Sequence, residues 1–148
     1  MNIEHLYRQV IMDHYKSPKN KGFVSDNSYM TVHLNNPSCG DEITVQFKVD
    51  GQKIVDIKHL GTGCSICCSS ASVMSVTLMD KSLDEATSIL RQYYELIKGY
   101  PYNQNILTGD AIVYQGVAKF PARIKCATLA WKAIEQGIIK IKEDQLNG

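Results

Sequence analysis

Residues 29–60, YMTVHLNNPSCGDEITVQFKVDGQKIVDIKHL, decide the fold. Three stretches rich in β-branched residues, YMTVHL (29–34), EITVQFKV (42–49) and KIVDIKHL (53–60), are separated by NNPSCGD and DGQ, residues that break strands and build turns. VDGQK (49–53) reads as a hairpin turn, and the three strands in succession predict an antiparallel sheet. On the N-terminal side, Ile3, Leu6, Tyr7, Val10, Ile11 and His14/Tyr15 follow a helical period over residues 3–16, which SPKNKG ends with Pro18 and Gly22. On the C-terminal side a helix is expected over 65–80. KSLDEATSILRQYYELIKG (81–99) is a second, with Ser82 as N-cap, Glu85 at the capping-box position and Gly99 as stop. Pro101, Gly109 and Gly116 interrupt residues 100–120, which read as loop with short helical pieces. The last helix opens on Pro121 and runs to Gly137. The expected fold class is α+β: an N-terminal helix, a three-stranded antiparallel sheet, then helices packed on one face, in one domain spanning 1–148.

Of the 148 residues, 44% are AVILMFWYC and 21% are charged, enough apolar material for a sizeable core. The formal charge is +1, without a basic run or a block of like charges, so nothing supports a nucleic-acid or membrane-surface partner. The opening MNIEHLYRQVIMDHYK places Glu4 and Asp13 among its apolar residues and has no uninterrupted apolar stretch. Neither a signal peptide nor a membrane span is expected there, and the protein reads as cytoplasmic. In a reducing compartment five cysteines, an odd number, point to metal binding, catalysis or packing before disulfides.

Cys39 stands in the Pro/Gly turn between the first two strands, and an extended chain beyond it would project Cys39 and Asp41 to the same side. The alternative is an Asx-type turn at Asp41, with Cys39 merely closing the strand end. Cys64 follows Gly61 and Gly63 at a strand-to-helix junction, where unpaired N–H groups and the helix dipole stabilise a thiolate. Cys67 and Cys68 lie one turn deeper and also complete a Cys-x-x-Cys spacing. Their helical neighbours, Ala71, Met74 and Leu78 for Cys67 and Ala71, Ser72, Ser75 and Met79 for Cys68, assign both to packing. Cys126 falls in the first or second turn of the last helix, on its inward face. Arg123, three residues earlier, is placed either to hold an anion or thiolate beside Cys126 or as a solvated charge. Three thiols and a carboxylate drawn from element ends would make a tetrahedral site suited to zinc, although spacing alone leaves their proximity open. The four histidines read as surface or core-edge residues, and Tyr93, Tyr94, Tyr100, Tyr102 and Trp131 as packing aromatics or a partner surface.

NPSCGD, GTGCSI…SSAS and FPARIKCATLAWKAI, in this order on sheet and helices, resemble the IscU/NifU N-terminal-like family of iron-sulfur cluster assembly proteins, and within it the SufU branch. The resemblance runs from LYRQVIMDHYKSPKN to the C-terminal helix. Lys125 stands where scaffold members of the family carry His, FPARIK replaces their chaperone-recognition stretch, and residues from about Tyr94 to Phe120 look like the SufU insertion. The resemblance implies zinc on Cys39, Asp41, Cys64 and Cys126, with Cys39 as the catalytic cysteine that receives sulfur. It further implies a zinc-dependent sulfurtransferase. The partners would be the cysteine desulfurase SufS, to which the pyridoxal phosphate cofactor belongs, and downstream cluster-assembly proteins. The alternative is a scaffold that holds a transient 2Fe–2S cluster on the same four ligands. Cys67 and Cys68 match no ligand position of the family. A hydrolytic zinc enzyme would need an open coordination position, which four protein ligands do not leave.

Overall fold

The protein is described by a computed structural model covering residues 3–147. In chain order its elements are α1 (Ile3–Lys16), β1 (Met30–Asn36), β2 (Asp41–Asp50), β3 (Lys53–Thr62), α2 (Ser65–Leu78), α3 (Leu83–Ile97), a 3-10 helix (Gly109–Lys119) and α4 (Pro121–Asn147). The sheet order is β1-β2-β3, antiparallel throughout. This is the expected α+β arrangement, and the strand period of two explains how it delivers a carboxylate to its interior. Asp41, Ile43, Val45 and Phe47 alternate along β2 onto one buried face. Their partners on β1 are Asn36, Leu34, Val32 and Met30. On β3 the alternation fails after Ile54, because a bulge opposite Lys48/Val49 leaves Val55 unpaired and exposed while Ile54 and Ile57 both turn inward.

Helices cover that buried face, and α2 is the central one. Its buried serines, Ser69, Ser70, Ser72 and Ser75, allow close approach on several sides because each hydroxyl finds a partner on a neighbouring segment. Ser69 meets the Tyr114 hydroxyl at 2.7 Å, and Ser70 donates to the Ala127 carbonyl at 2.6 Å while accepting from Trp131 Nε1 at 2.8 Å. Ser72 accepts from the Lys19 N–H at 2.7 Å and bonds His14 Nδ1 at 2.8 Å. Leaving one such hydroxyl unpartnered would cost about 1–3 kcal/mol. Tyr93 stacks on Trp131 with ring centroids 3.7 Å apart, so those two aromatics belong to the core. The Ser82/Glu85 capping box forms as expected, with both reciprocal bonds at 3.0 Å.

Two sequence readings are corrected. Residues 109–119 form a continuous 3-10 helix rather than short pieces in a loop. Helix α4 does not stop at Gly137 but continues ten residues to Asn147. The glycine serves a close approach: a Cβ there would lie 2.4 Å from Cε1 of the buried Phe47 ring. Among the described residues no helix is long and apolar enough to cross a membrane.

Candidate metal centre

The turn between β1 and β2 is closed by the carbonyl of Asn36, which accepts from the N–H groups of Cys39 (3.2 Å) and Gly40 (2.9 Å). Cys39 is thereby held at the sheet end with its side chain exposed, while Asp41, the first residue of β2, is 1% exposed. At the adjacent end of β3 the chain passes through Gly63 into α2. Cys64 is the N-cap of α2, in extended conformation, and its N–H donates to Asp41 Oδ1 at 3.1 Å. Gly63 makes that bond possible, since a Cβ at this position would lie 2.4 Å from Oδ1. Cys126 comes from α4 and is fully buried.

One donor atom from each of Cys39, Asp41 and Cys126 lies within 4.8 Å of the other two. Cys64 stands outside this tightest set but beside it. Burial pushes the Cys126 thiol up, and Asp41, Cys64 and Cys39 next to it add to the shift. Despite that closeness, Asp41 Oδ2 is buried and makes no hydrogen bond of acceptable geometry. A buried carboxylate oxygen left without a proton donor at the edge of a sulfur cluster is a poor arrangement by itself. It fits a cation: a divalent ion would satisfy the oxygen and replace the thiol protons. The two sulfurs and the carboxylate oxygen of the cluster match the donor preferences of zinc.

Arg123 has features of both its readings. Its guanidinium is exposed, and the Cys64 and then the Cys126 sulfur strengthen its hold on its proton, so its charge faces both thiols. The two remaining cysteines part company. Cys67 is packed in the core with Ala71, Met74 and Leu78, as expected, and burial pushes its thiol up. Cys68 is not in the core. It is half-buried, its Sγ–H donates to the Gly63 carbonyl at 3.6 Å, and it faces a cleft bordered by Tyr15, Lys21 and His59. The reason is rotational: Cys68 lies about 100° round α2 from Cys67, which turns it from the helix-covered side toward the mouth between β3 and the segment after α1.

No histidine joins the cluster among the described residues. His14 bridges Ser72 and Asp110, each at 2.8 Å, and His59 Nε2 donates to the Lys19 carbonyl at 2.7 Å. Sequence reasoning missed Asn36, whose buried side-chain nitrogen has no partner, and the demand for glycine at position 63. The adjacency of Gly63 to Cys64 was the only signal available for the second.

Residues 6–127 match the NifU-like N-terminal domain family. The zinc-dependent sulfurtransferase SufU of Bacillus subtilis is 48% identical over 139 residues, covering 94% of this chain and 93% of that protein. The iron-sulfur cluster assembly scaffold protein IscU of Streptococcus pyogenes is 40% identical over 136 residues, covering 92% and 84%. A crystal structure of a NifU-like N-terminal protein from Brucella abortus shares the fold, with a TM-score of 0.83 at 20% identity over 95% of this chain and 97% of that one. Sequence match, fold and a cysteine-carboxylate cluster at the sheet end agree: the chain belongs to the IscU/SufU/NifU-like family of iron-sulfur cluster assembly proteins.

Proposed function

We propose that this chain, working as one cytoplasmic domain, is a zinc-binding sulfurtransferase that accepts sulfur from a cysteine desulfurase of the SufS kind and passes it to iron-sulfur cluster assembly. The observation that carries the reading is the unpartnered, buried Asp41 Oδ2 in a cluster where Cys39 and Cys126 bring their sulfurs within 4.8 Å. The metal ligands are Cys39, Asp41, Cys64 and Cys126. Bound zinc supplies positive charge that keeps the thiolates deprotonated at neutral pH without redox chemistry of its own.

The chain's own residues divide the work by exposure. Cys126 is buried and Cys64 half-buried, whereas Cys39 is exposed on a turn and is the best placed of the three to meet a sulfur held by another protein. Its thiolate attacks the outer sulfur of the partner's persulfide. The sulfur–sulfur bond of the partner breaks, a new one forms on Cys39, and the partner's cysteine leaves as thiolate, so no external oxidant is required. Arg123 faces the thiols of Cys64 and Cys126 with a permanent positive charge, favouring anionic sulfur at the centre.

The test combines zinc content with desulfurase turnover for each of the five single Cys→Ser variants. Loss of zinc and of desulfurase stimulation confined to positions 39, 64 and 126 is expected. Full stimulation by the variant at 39 would overturn the acceptor role. Iron with acid-labile sulfide in anaerobically purified protein, in place of zinc, would favour a cluster scaffold instead.

A further inference from the structure

Among the described residues two buried side-chain polar atoms lack a hydrogen-bond partner, Asp41 Oδ2 and Asn36 Nδ2. They belong to residues directly opposite each other: Asn36, the last residue of β1, pairs with Asp41, the first of β2. Opposed residues of an antiparallel pair project to the same face at adjacent positions, so both orphans lie at one end of the buried face, beside the sulfur cluster. Asn36 is 5% exposed, and its carbonyl already closes the Cys39 turn. Its amide nitrogen therefore sits in a rigid turn, out of reach of water, carrying N–H groups with nothing to accept them.

A buried donor without an acceptor is destabilising. Packing does not explain keeping it, because a hydrocarbon side chain of the same size would fill the space without that cost. A protonated thiol is a weak acceptor and a thiolate a strong one. No acceptor, sulfur included, stands in hydrogen-bonding position to Nδ2; drawing the sulfurs together around a cation would bring it one.

Resting on the zinc-ligand reading above, we propose that Asn36 is a positioning residue of the centre, its Nδ2–H donating to the thiolate ligands once the cation is bound. The bond draws charge from sulfur and orients the ligand, which is how outer-sphere donors tune a metal site. It also gives the two orphaned atoms one explanation: both are completed by the same event.

The test uses Asn36→Leu, close to isosteric and without a donor, alongside Asn36→Ala. Zinc affinity is measured by chelator competition, Co2+ is bound as a spectroscopic probe, and thermal unfolding is followed on zinc-stripped protein. Both variants should bind zinc about 10–100-fold more weakly than the parent. Their sulfur-to-cobalt charge-transfer band should move to lower energy, because an unbonded thiolate gives up its electron more readily. Zinc-stripped Asn36→Leu should melt at or above the parent temperature, the unsatisfied donor having been removed. Parent-like affinity with an unshifted cobalt band would overturn the inference while leaving the zinc reading intact. A lower melting point of the stripped variant with that same unshifted band would reduce Asn36 to a structural residue. Failure of the parent itself to bind zinc or Co2+ would overturn both.

Discussion

Replacing Gly63 by alanine tests how the centre is assembled without touching a ligand. The added Cβ would lie 2.4 Å from Asp41 Oδ1, 3.1 Å from Cγ and 3.2 Å from Cβ. Asp41 is anchored in the first pair of β2 and is almost fully buried, so its carboxylate must rotate away and surrender the 3.1 Å bond from the Cys64 N–H. A hydrogen bond to a charged group contributes about 1.5–3 kcal/mol, and forcing a methyl into a filled site costs about 1–3 kcal/mol. Partial relaxation of one by the other leaves a net loss of roughly 2–4 kcal/mol, since neighbouring effects do not add fully. At about 2–4 °C per kcal/mol for a chain of this size, the melting temperature of zinc-stripped Gly63→Ala should fall by roughly 5–15 °C. Zinc affinity should fall as well, because the same rotation carries Oδ2 away from the sulfurs. Thermal unfolding with and without zinc, plus chelator competition, measures both. A melting point within about 2 °C of the parent, together with unchanged zinc affinity, would show that this glycine does not hold the carboxylate in place.

Further outcomes follow from the same geometry. Gly137→Ala should lower stability: the helix gains about 1 kcal/mol from the substitution, but a Cβ 2.4 Å from the Phe47 ring brings an overpacking cost of about 1–3 kcal/mol, and denaturant melts should show a net loss. Burial pushes the His59 imidazole pKa down, so the folded protein binds fewer protons there than the unfolded chain and stability rises with pH. This contribution is complete above the unfolded value of about 6.5 and is lost as pH falls below it; melts of zinc-stripped protein across that window should lose part of their pH slope in His59→Gln. Cys67→Ala should cost roughly 1 kcal/mol through its core cavity with zinc content unchanged, whereas Cys68→Ala should be near neutral and should remove a thiol that alkylates more slowly than Cys39.

Much of this architecture is visible in the residues because local and long-range signals coincide. The alternation of Ile43, Val45 and Phe47 along β2 places Asp41 two residues before the first of them, on the same face; Cys39 reaches it by another route than the extended chain expected, because residues 37–40 form a turn closed by the Asn36 carbonyl, with Gly40 at φ 73°. Ser82 and Glu85 mark a helix start by chemistry that needs no tertiary partner. Where tertiary contact decides, the local signal misleads. Gly137 looks like a helix stop and is a seat for the Phe47 ring. Cys68 looks like its neighbour Cys67, but which side of α2 each occupies depends on what packs there. Asn36 is an ordinary residue before Pro37 until its burial and its missing partner are known.

On the proposed function, sulfur from a partner's persulfide comes to rest on Cys39 of a zinc-loaded centre. The most direct test of this transfer is mass spectrometry of the zinc-loaded chain after brief incubation with a cysteine desulfurase and cysteine, followed by alkylation and digestion. An extra sulfur atom is expected on the peptide bearing Cys39, and none on those bearing Cys64, Cys67, Cys68 or Cys126. Desulfurase stimulation with the extra sulfur on Cys68, or on no cysteine of this chain, would contradict it.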